Sequence, residues 1–173
     1  MRPTKKLSNV VTRVIVDAQA LKPNLQNFKF FPKNAKEDNP VINYVSNPFP
    51  YTTTLVTGFR FSLNTNILTQ AQLAEFYNAI VKIKKGTYES FEADLATLMR
   101  IRIKDSFLLQ DGTEKLVVEY EDVPFRFGKK PLRFGDNDHF EVLVTFKSMS
   151  QNNIDLRCHF YAMTTDRVIK PSN

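Results

Sequence analysis

The fold is decided by residues 131–146, PLRFGDNDHFEVLVTF, which combine a turn with a strand. Residues 135–138 are Gly, Asp, Asn and Asp, four residues in a row of types that favour tight turns. After the turn, apolar side chains occupy every second position, at Phe140, Val142, Val144 and Phe146. A period of two predicts a strand that has one face in a core.

A near-repeat precedes this turn, with FRFG at residues 125–128 and LRFG at residues 132–135. We predict a strand over residues 123–134 and a second over residues 139–147. The block therefore consists of a strand, a turn and a strand, and it contains no arrangement typical of a catalyst.

Other segments have the composition or the alternation of strands. They are residues 10–16, 52–63, 81–85, 99–109, 115–121 and 154–163, with a short edge strand predicted at 28–31. The core face predicted for 52–63 consists of Leu55, Thr57, Phe59, Phe61 and Leu63. The core face predicted for 154–163 consists of Ile154, Leu156, Cys158, Phe160 and Ala162. Asp111-Gly112 predicts a hairpin between residues 99–109 and 115–121.

One helix is predicted after residue 69. Thr69 and Gln72 have the spacing of a capping box, in which each side chain satisfies a backbone N–H of the first turn. The apolar stripe predicted for this helix consists of Leu73, Phe76, Tyr77 and Ile80. Residues 88–98 fit helical and strand periods equally well, so both structures stay open there.

These elements predict a mainly β protein, an antiparallel eight- or nine-stranded β-sandwich (a single jelly roll) with one inserted helix. The domain is predicted over residues 9–166, with a long Pro/Asn-rich loop at 22–51. Residues 1–8 are predicted to form a basic arm and residues 167–173 a polar tail. We expect one core, containing Phe59, Phe61, Phe140, Val142, Val144 and Phe160.

Composition narrows the class of protein. Of the 173 residues, 42% are hydrophobic and 24% are charged, which is typical of a globular chain. The single cysteine, Cys158, excludes an intrachain disulfide, and its apolar neighbours on the strand predict a buried, inert thiol. No apolar stretch approaches the ~20 residues that span a bilayer, and the first residues lack the apolar region of a secretory signal. We therefore expect synthesis in a cytoplasm.

The net charge of +6 comes from the first third of the chain. The first sixty residues contain nine Lys or Arg and three Asp or Glu, whereas the remaining residues are balanced. One interpretation is a solvated N-terminal region. The other is an arm in which Arg2, Lys5 and Lys6 contact an anionic partner, either nucleic acid or a membrane surface.

Candidate reactive groups do not combine into a site. Cys158 and His159 are adjacent on a strand and so point to opposite faces, and His139 could reach Cys158 only across strands. The acidic cluster of residues 136–139, DNDH, is explained by its turn. Glu119, Glu121 and Asp122, like the basic face of Arg100, Arg102 and Lys104, are typical of solvated strand surfaces. We predict no catalytic, metal-binding or cofactor-binding residue, and no enzyme.

Residues 50–165 resemble the jelly-roll coat proteins of icosahedral viruses, particularly small structural proteins of tailless bacteriophages. The similar features are a strand after a Pro-rich loop (NPFPYTTTLVTGFRFSL), an inserted helix, and the closely spaced strands PLRFGDNDHFEVLVTF and NIDLRCHFYAM. The resemblance implies a vertex, minor or major capsid protein in the virion, without cofactor, that assembles with copies of itself and other capsid proteins. The basic arm would then contact genome nucleic acid or an inner membrane.

Two other functions are compatible with the residues. One is a ligand- or carbohydrate-binding β-sandwich module in the cytoplasm or at the cell surface, although the absence of Trp disfavours sugar stacking. The other is a nucleic-acid-binding accessory protein that uses the basic arm.

Overall fold

A computed structural model describes residues 10–31, 53–86, 88–121, 125–127, 130–135, 138, 140–148 and 154–165. These residues form twelve strands and two helices. The strands are β1 (Val10–Ala20), β2 (Asn27–Phe30), β3 (Thr53–Leu63), β4 (Ile67–Leu68), β5 (Ile80–Lys85), β6 (Tyr88–Asp94), β7 (Ile101–Leu108), β8 (Glu114–Tyr120), β9 (Phe125–Arg126), β10 (Leu132–Gly135), β11 (Phe140–Thr145) and β12 (Asp155–Thr165). The helices are α1 (Gln70–Tyr77) and α2 (Leu95–Met99). The predicted mainly β class is confirmed.

The strands form three antiparallel sheets. The largest has the order β1-β12-β3-β10, with β9 also paired to β3. The second has the order β2-β11-β5-β6, and a small third sheet has the order β4-β8-β7. The predicted edge strand near residues 28–31 is confirmed as β2, which lies at one edge of the second sheet.

The inner faces of the two larger sheets pack against each other through phenylalanine rings. Phe30 meets Phe61 edge-on at 5.8 Å, and Phe31 stacks on Phe160 at 4.7 Å. Both contacts join the segment of β2 to strands of the largest sheet. Edge-to-face and offset ring pairs add stability beyond that of apolar burial.

The predicted core is confirmed where the structure describes it. Phe59, Phe61, Val142, Val144 and Phe160 are all fully buried in one cluster. The side chain of Phe140 lies outside the described parts of the structure. The inward face predicted for residues 154–163 is also confirmed, because Ile154, Leu156, Cys158, Phe160 and Ala162 are buried.

The face predicted for β3 is wrong in its first half. Leu55 and Thr57 are half-buried, and their neighbours Thr54 and Val56 are buried instead. The cause is a bulge: Tyr161 pairs with Gly58 and Ala162 pairs with Val56, so Thr57 is an extra residue. An extra residue reverses the parity of every side chain beyond it.

The capping box of α1 is confirmed. The Thr69 hydroxyl accepts the Gln72 N–H at 3.1 Å, and the Gln72 side chain accepts the Thr69 N–H at 2.6 Å. The apolar stripe predicted for this helix is longer than the stripe that the structure shows. Leu73 and Phe76 are buried, but Tyr77 is 52% exposed and Ile80 already belongs to β5. Ala79 is buried in their place, where the chain leaves the helix.

Residues 88–98 contain both of the structures that the sequence left open. β6 occupies their first part, and α2 follows immediately from Leu95. The helix ends at Arg100, which adopts left-handed φ and ψ angles of 49° and 54°. Met99 therefore belongs to the helix and not, as predicted, to the strand at residues 99–109.

The predicted strand over 123–134 is wrong as a single element. β9 and β10 are two short strands, and both pair with β3. Three strands are additional to the nine predicted segments, which is why the described residues contain twelve: β4, β6 and the second strand produced by this division. The hairpin at Asp111-Gly112 is confirmed between β7 and β8.

Backbone hydrogen bonds join the connections at one end of the two larger sheets. Leu21 N–H donates to the Ile154 carbonyl at 2.8 Å, and Asn64 N–H donates to the Asp155 carbonyl at 3.1 Å. Because the strands are antiparallel, the connections β1–β2, β3–β5, β6–β10 and β11–β12 all lie at this end. The third sheet is inserted in two of these connections.

No helix in the described residues is long and apolar enough to cross a bilayer.

Candidate interaction surface

The third sheet is fixed to the core by one face. Leu68, Leu116 and Val118 on this face are buried in the common hydrophobic cluster. The Tyr120 hydroxyl donates to the Thr65 carbonyl at 2.8 Å, and burial raises the pKa of this phenol. These contacts hold β4 and β8 firmly, so the sheet presents its outermost strand in a defined position.

That outermost strand, β7, is an exposed edge with large apolar side chains. It pairs with β8 and with no other strand of the described residues. Ile103 is 52% exposed, Phe107 41% and Leu108 72%. Apolar side chains gathered at a sheet edge, in contrast to single scattered ones, are typical of an interaction surface.

The tip of the hairpin is rigidly closed. Leu109 N–H donates to the Thr113 carbonyl at 2.9 Å, and Gly112 N–H donates to the Leu109 carbonyl at 3.0 Å. Gly112 has a φ of 79°, a left-handed angle that glycine adopts without strain. The Asp111 carboxylate accepts the Thr113 N–H at 2.8 Å, which lowers the pKa of that carboxyl.

The basic and acidic residues noted in the sequence are ion-pair partners in this hairpin. Arg100 contacts Glu121 at 3.0 Å, and Arg102 contacts the same carboxylate. Lys104 contacts Glu119 at 2.7 Å. These cations and the carboxylates of Glu119 and Glu121, predicted as separate solvated faces, therefore form ion pairs with each other. Sequence reasoning missed this because it did not align the two strands of the hairpin.

Asp105, the next charged residue of β7, differs from these residues in its contacts. Its carboxylate accepts the N–H of Ser106 at 2.8 Å, and no cation of the described residues forms an ion pair with it. A bulge between Ile103 and Asp105 makes Lys104 the extra residue of the strand. Lys104 and Asp105 thereby come to the same face of the hairpin.

The Cys158 thiol is fully buried, as predicted. Burial raises the pKa of Cys158 well above its ordinary value, and the Asp17 carboxylate opposite it on β1 raises it further. Asp17 is also buried, and it accepts backbone N–H groups from Ala18 at 2.7 Å and from Phe31. Its role is to attach the end of β2 to β1, and the sequence reasoning did not single it out.

His159 lies on the opposite face of β12, as the strand period predicts. Its Nε2 atom is 3.3 Å from the Ser62 hydroxyl. Burial lowers the pKa of His159 to about 4, with further contributions from the Arg60 and Arg157 cations. The imidazole is therefore neutral at neutral pH, and it lies on the face of β12 opposite the Cys158 thiol.

The turn at Gly135 is held by an ion pair. The Asp138 carboxylate accepts the Gly135 N–H at 2.8 Å and contacts Lys85 at 2.7 Å. The Lys85 ammonium, followed by the Gly135 N–H, lowers the pKa of Asp138. Four of the residues considered as candidates in the sequence lie outside the described residues: Asp122, Asp136, Asn137 and His139. Among the described residues, no group of three or more His, Cys, Asp or Glu side chains is placed to hold a metal ion.

Arg2, Lys5 and Lys6 also lie outside the described residues, so their predicted contact with an anionic partner stays a prediction.

Comparison with protein-family models, with curated proteins and with solved structures finds no match to this chain.

Proposed function

We propose that this protein is a virus capsid component, built as a single jelly roll, that acts through contacts between subunits. The observation that carries the proposal is the order in which the strands pair. An eight-stranded jelly roll is a double sheet with two Greek keys, and this architecture serves in capsids, lectins and cupins.

The pairing supports the jelly roll because it is nested. β1 pairs with β12, β2 with β11, β3 with β10 and β5 with β6. This pattern is that of one long hairpin whose two arms are each divided into four strands, so that each strand of one arm pairs with a strand of the other. Rolling that hairpin up adds the pairs β12 with β3 and β11 with β5, which are also present. Of the remaining strands, β4, β7 and β8 are then insertions at one end, and β9 pairs with β3 inside the largest sheet.

The interior favours a structural role over a ligand-binding one. Phe59 lies at the centre between the sheets, with the rings of Phe91, Phe127 and Phe160 at 5.4, 5.2 and 5.8 Å. Rings at these separations fill the space that a ligand enclosed between the two sheets would occupy. Binding would therefore use the outer surfaces, edges and loops.

The surfaces available are those that assembly requires. The β7 edge exposes large apolar side chains beside paired charges. Subunits that contact each other through several such surfaces can form closed symmetric particles. In this proposal the partners are copies of the chain and other capsid proteins in a virion. Arg2, Lys5 and Lys6 would face genome nucleic acid or an inner membrane.

The test is the assembly state of the purified full chain, alone and with co-expressed proteins from its genome neighbourhood. Velocity sedimentation and negative-stain imaging should reveal rings or shells of uniform size. A monomer under every condition, with those proteins present, would overturn the capsid proposal. The ligand-binding sandwich would then be the leading hypothesis.

A further inference from the structure

We propose that the β7 edge binds the β7 edge of a second copy of this chain, antiparallel across a twofold axis. Lys104 of each copy faces Asp105 of the other. The inference rests on the proposed function, which requires contacts between copies, and it assigns one of those contacts to named residues.

The first support is the open backbone of β7. One side of the strand is hydrogen-bonded to β8, and the other side pairs with no strand of the described residues. The N–H and C=O groups of such an edge are a template for another strand. Its apolar side chains are already exposed, so pairing would remove them from water.

The second support is that β7 is complementary to itself in one register. Its pairing with β8 defines two faces. Ile101, Ile103, Ser106 and Leu108 share the face of Val118, whereas Arg102, Asp105 and Phe107 share the other, with Lys104 brought there by the bulge. When Lys104 is opposite Asp105, Ile101 meets Leu108, Arg102 meets Phe107 and Ile103 meets Ser106. Every pair then joins residues of the same face.

Other registers fail for physical reasons. A shift by one residue places Lys104 opposite Lys104, or Asp105 opposite Asp105, which is repulsive in directly facing strand pairs. A shift by two places Ile103 opposite Lys104, or Asp105 opposite Ser106, and these residues belong to opposite faces because the bulge interrupts the alternation. Lysines and bulges on sheet edges usually prevent indiscriminate pairing. Here the register with Lys104 opposite Asp105 is the one that pairs the whole of Ile101–Leu108 with residues of matching faces.

The contributions of the pairs differ in kind. Leu108, the most exposed apolar side chain of the strand, would be covered by Ile101 of the second copy. Arg102 would lie over the ring of Phe107, a cation–π arrangement. Exposed ion pairs add little affinity, so the two Lys104–Asp105 pairs serve mainly to fix the register.

The test reverses these charges in the full chain. D105K places two lysines opposite each other, and K104D places two aspartates opposite each other. Each should weaken the association measured by sedimentation equilibrium by about tenfold, and K104D/D105K should restore it because the opposite charges face each other again. K82D is the matched control, since Lys82 is an ion-paired strand lysine in β5, bonded to Glu92 at 2.9 Å.

Cross-linking gives an answer that does not depend on the effect of charge on folding. K104C and D105C proteins, mixed and oxidised, should form a disulfide between copies, whereas K82C with D105C should not. The native thiol is buried and does not interfere. Rings or shells that form normally in every variant, without this cross-link, would overturn the β7 contact and leave the capsid proposal intact. A parent chain that stays monomeric under every condition overturns both.

Discussion

His159 makes the stability of the fold depend on pH within a defined window. Its pKa falls from 6.5 to about 4 in the native protein because its ring is buried near Arg60 and Arg157. Between these values the unfolded chain binds a proton that the native ring does not, so the free energy of unfolding decreases as the pH falls from 6.5 towards 4. Above 6.5 the full stability is present. We expect His159→Gln, which does not titrate, to show a flatter dependence of melting temperature on pH.

Arg157→Gln is the control for the cause of this shift. Removing one cation raises the pKa of His159 towards its ordinary value, so the dependence should shrink without disappearing. Parent and His159→Gln melting temperatures that decline in parallel between pH 6.5 and 4 would assign the pH dependence to the carboxylates instead.

At the scale of a residue, Asp17 shows that local alternation does not determine where strand β1 ends. The sequence predicts a strand at residues 10–16, which are rich in β-branched side chains, and Asp17 follows that segment. In the fold β1 continues to Ala20, since the buried carboxylate accepts the N–H of Phe31 from another segment. An alternation of apolar residues carries no information about a hydrogen-bond partner fourteen positions away.

At the scale of an element, Gly58 determines whether β9 can pair. A Cβ atom at this position would lie 2.3 Å from the Phe125 carbonyl oxygen, a backbone atom that cannot rotate away. Gly58→Ala should therefore displace β9 from β3 and destabilise the protein by about 1–3 kcal/mol, the usual cost of overpacking. Urea unfolding of the variant and the parent measures this difference.

Gly135→Ala is the matched control for that substitution. It adds the same methyl group to a strand of the same sheet, where the nearest atom, an Asp138 oxygen, is at an ordinary 3.7 Å. The control should unfold close to the parent. Equal stability of the Gly58 variant and the parent would mean that β9 contributes nothing to the fold.

Elements with a local cause could be predicted from the sequence. The capping box of α1 and the Asp111-Gly112 turn depend on residues within four positions of each other. The bulge at Thr57 and the division between β9 and β10 depend on how β3 meets its neighbours. Those contacts are between distant segments, so alternation gave the strand at residues 52–63 but assigned half of its core face incorrectly.

At the scale of the molecule, the sequence predicted a β protein with a phenylalanine core but did not predict its exposed edge. Apolar residues at 101, 103, 107 and 108 look like core positions when read along the chain. Ile101 is half-buried against the core, whereas Ile103, Phe107 and Leu108 are exposed because β7 is the last strand of a sheet inserted at one end, beyond the two packed layers. Only the pairing order identifies an edge strand, and that order is a property of the whole fold.

The basic arm permits a test of how charge contributes to assembly. Deleting residues 1–8 removes Arg2, Lys5 and Lys6, whereas β1 begins at Val10, so the melting temperature should not change. If these side chains bind an anionic partner, the deletion should weaken assembly most at low salt. The difference from the full chain should vanish as added salt shortens the range of the charges below the ~8 Å of physiological ionic strength.

A full-length chain with Arg2, Lys5 and Lys6 replaced by Gln separates charge from length. It should match the deletion if the arm acts through its charge, and it should match the parent if the arm acts as an extended segment packed on a neighbouring subunit. Sedimentation of the three proteins across a salt series, with the anionic partner present, distinguishes these results. If the parent, the deletion and the Gln variant assemble equally at low salt, the arm does not contribute to assembly. Contacts in the folded domain, such as the β7 edge, would then have to hold the particle together without it.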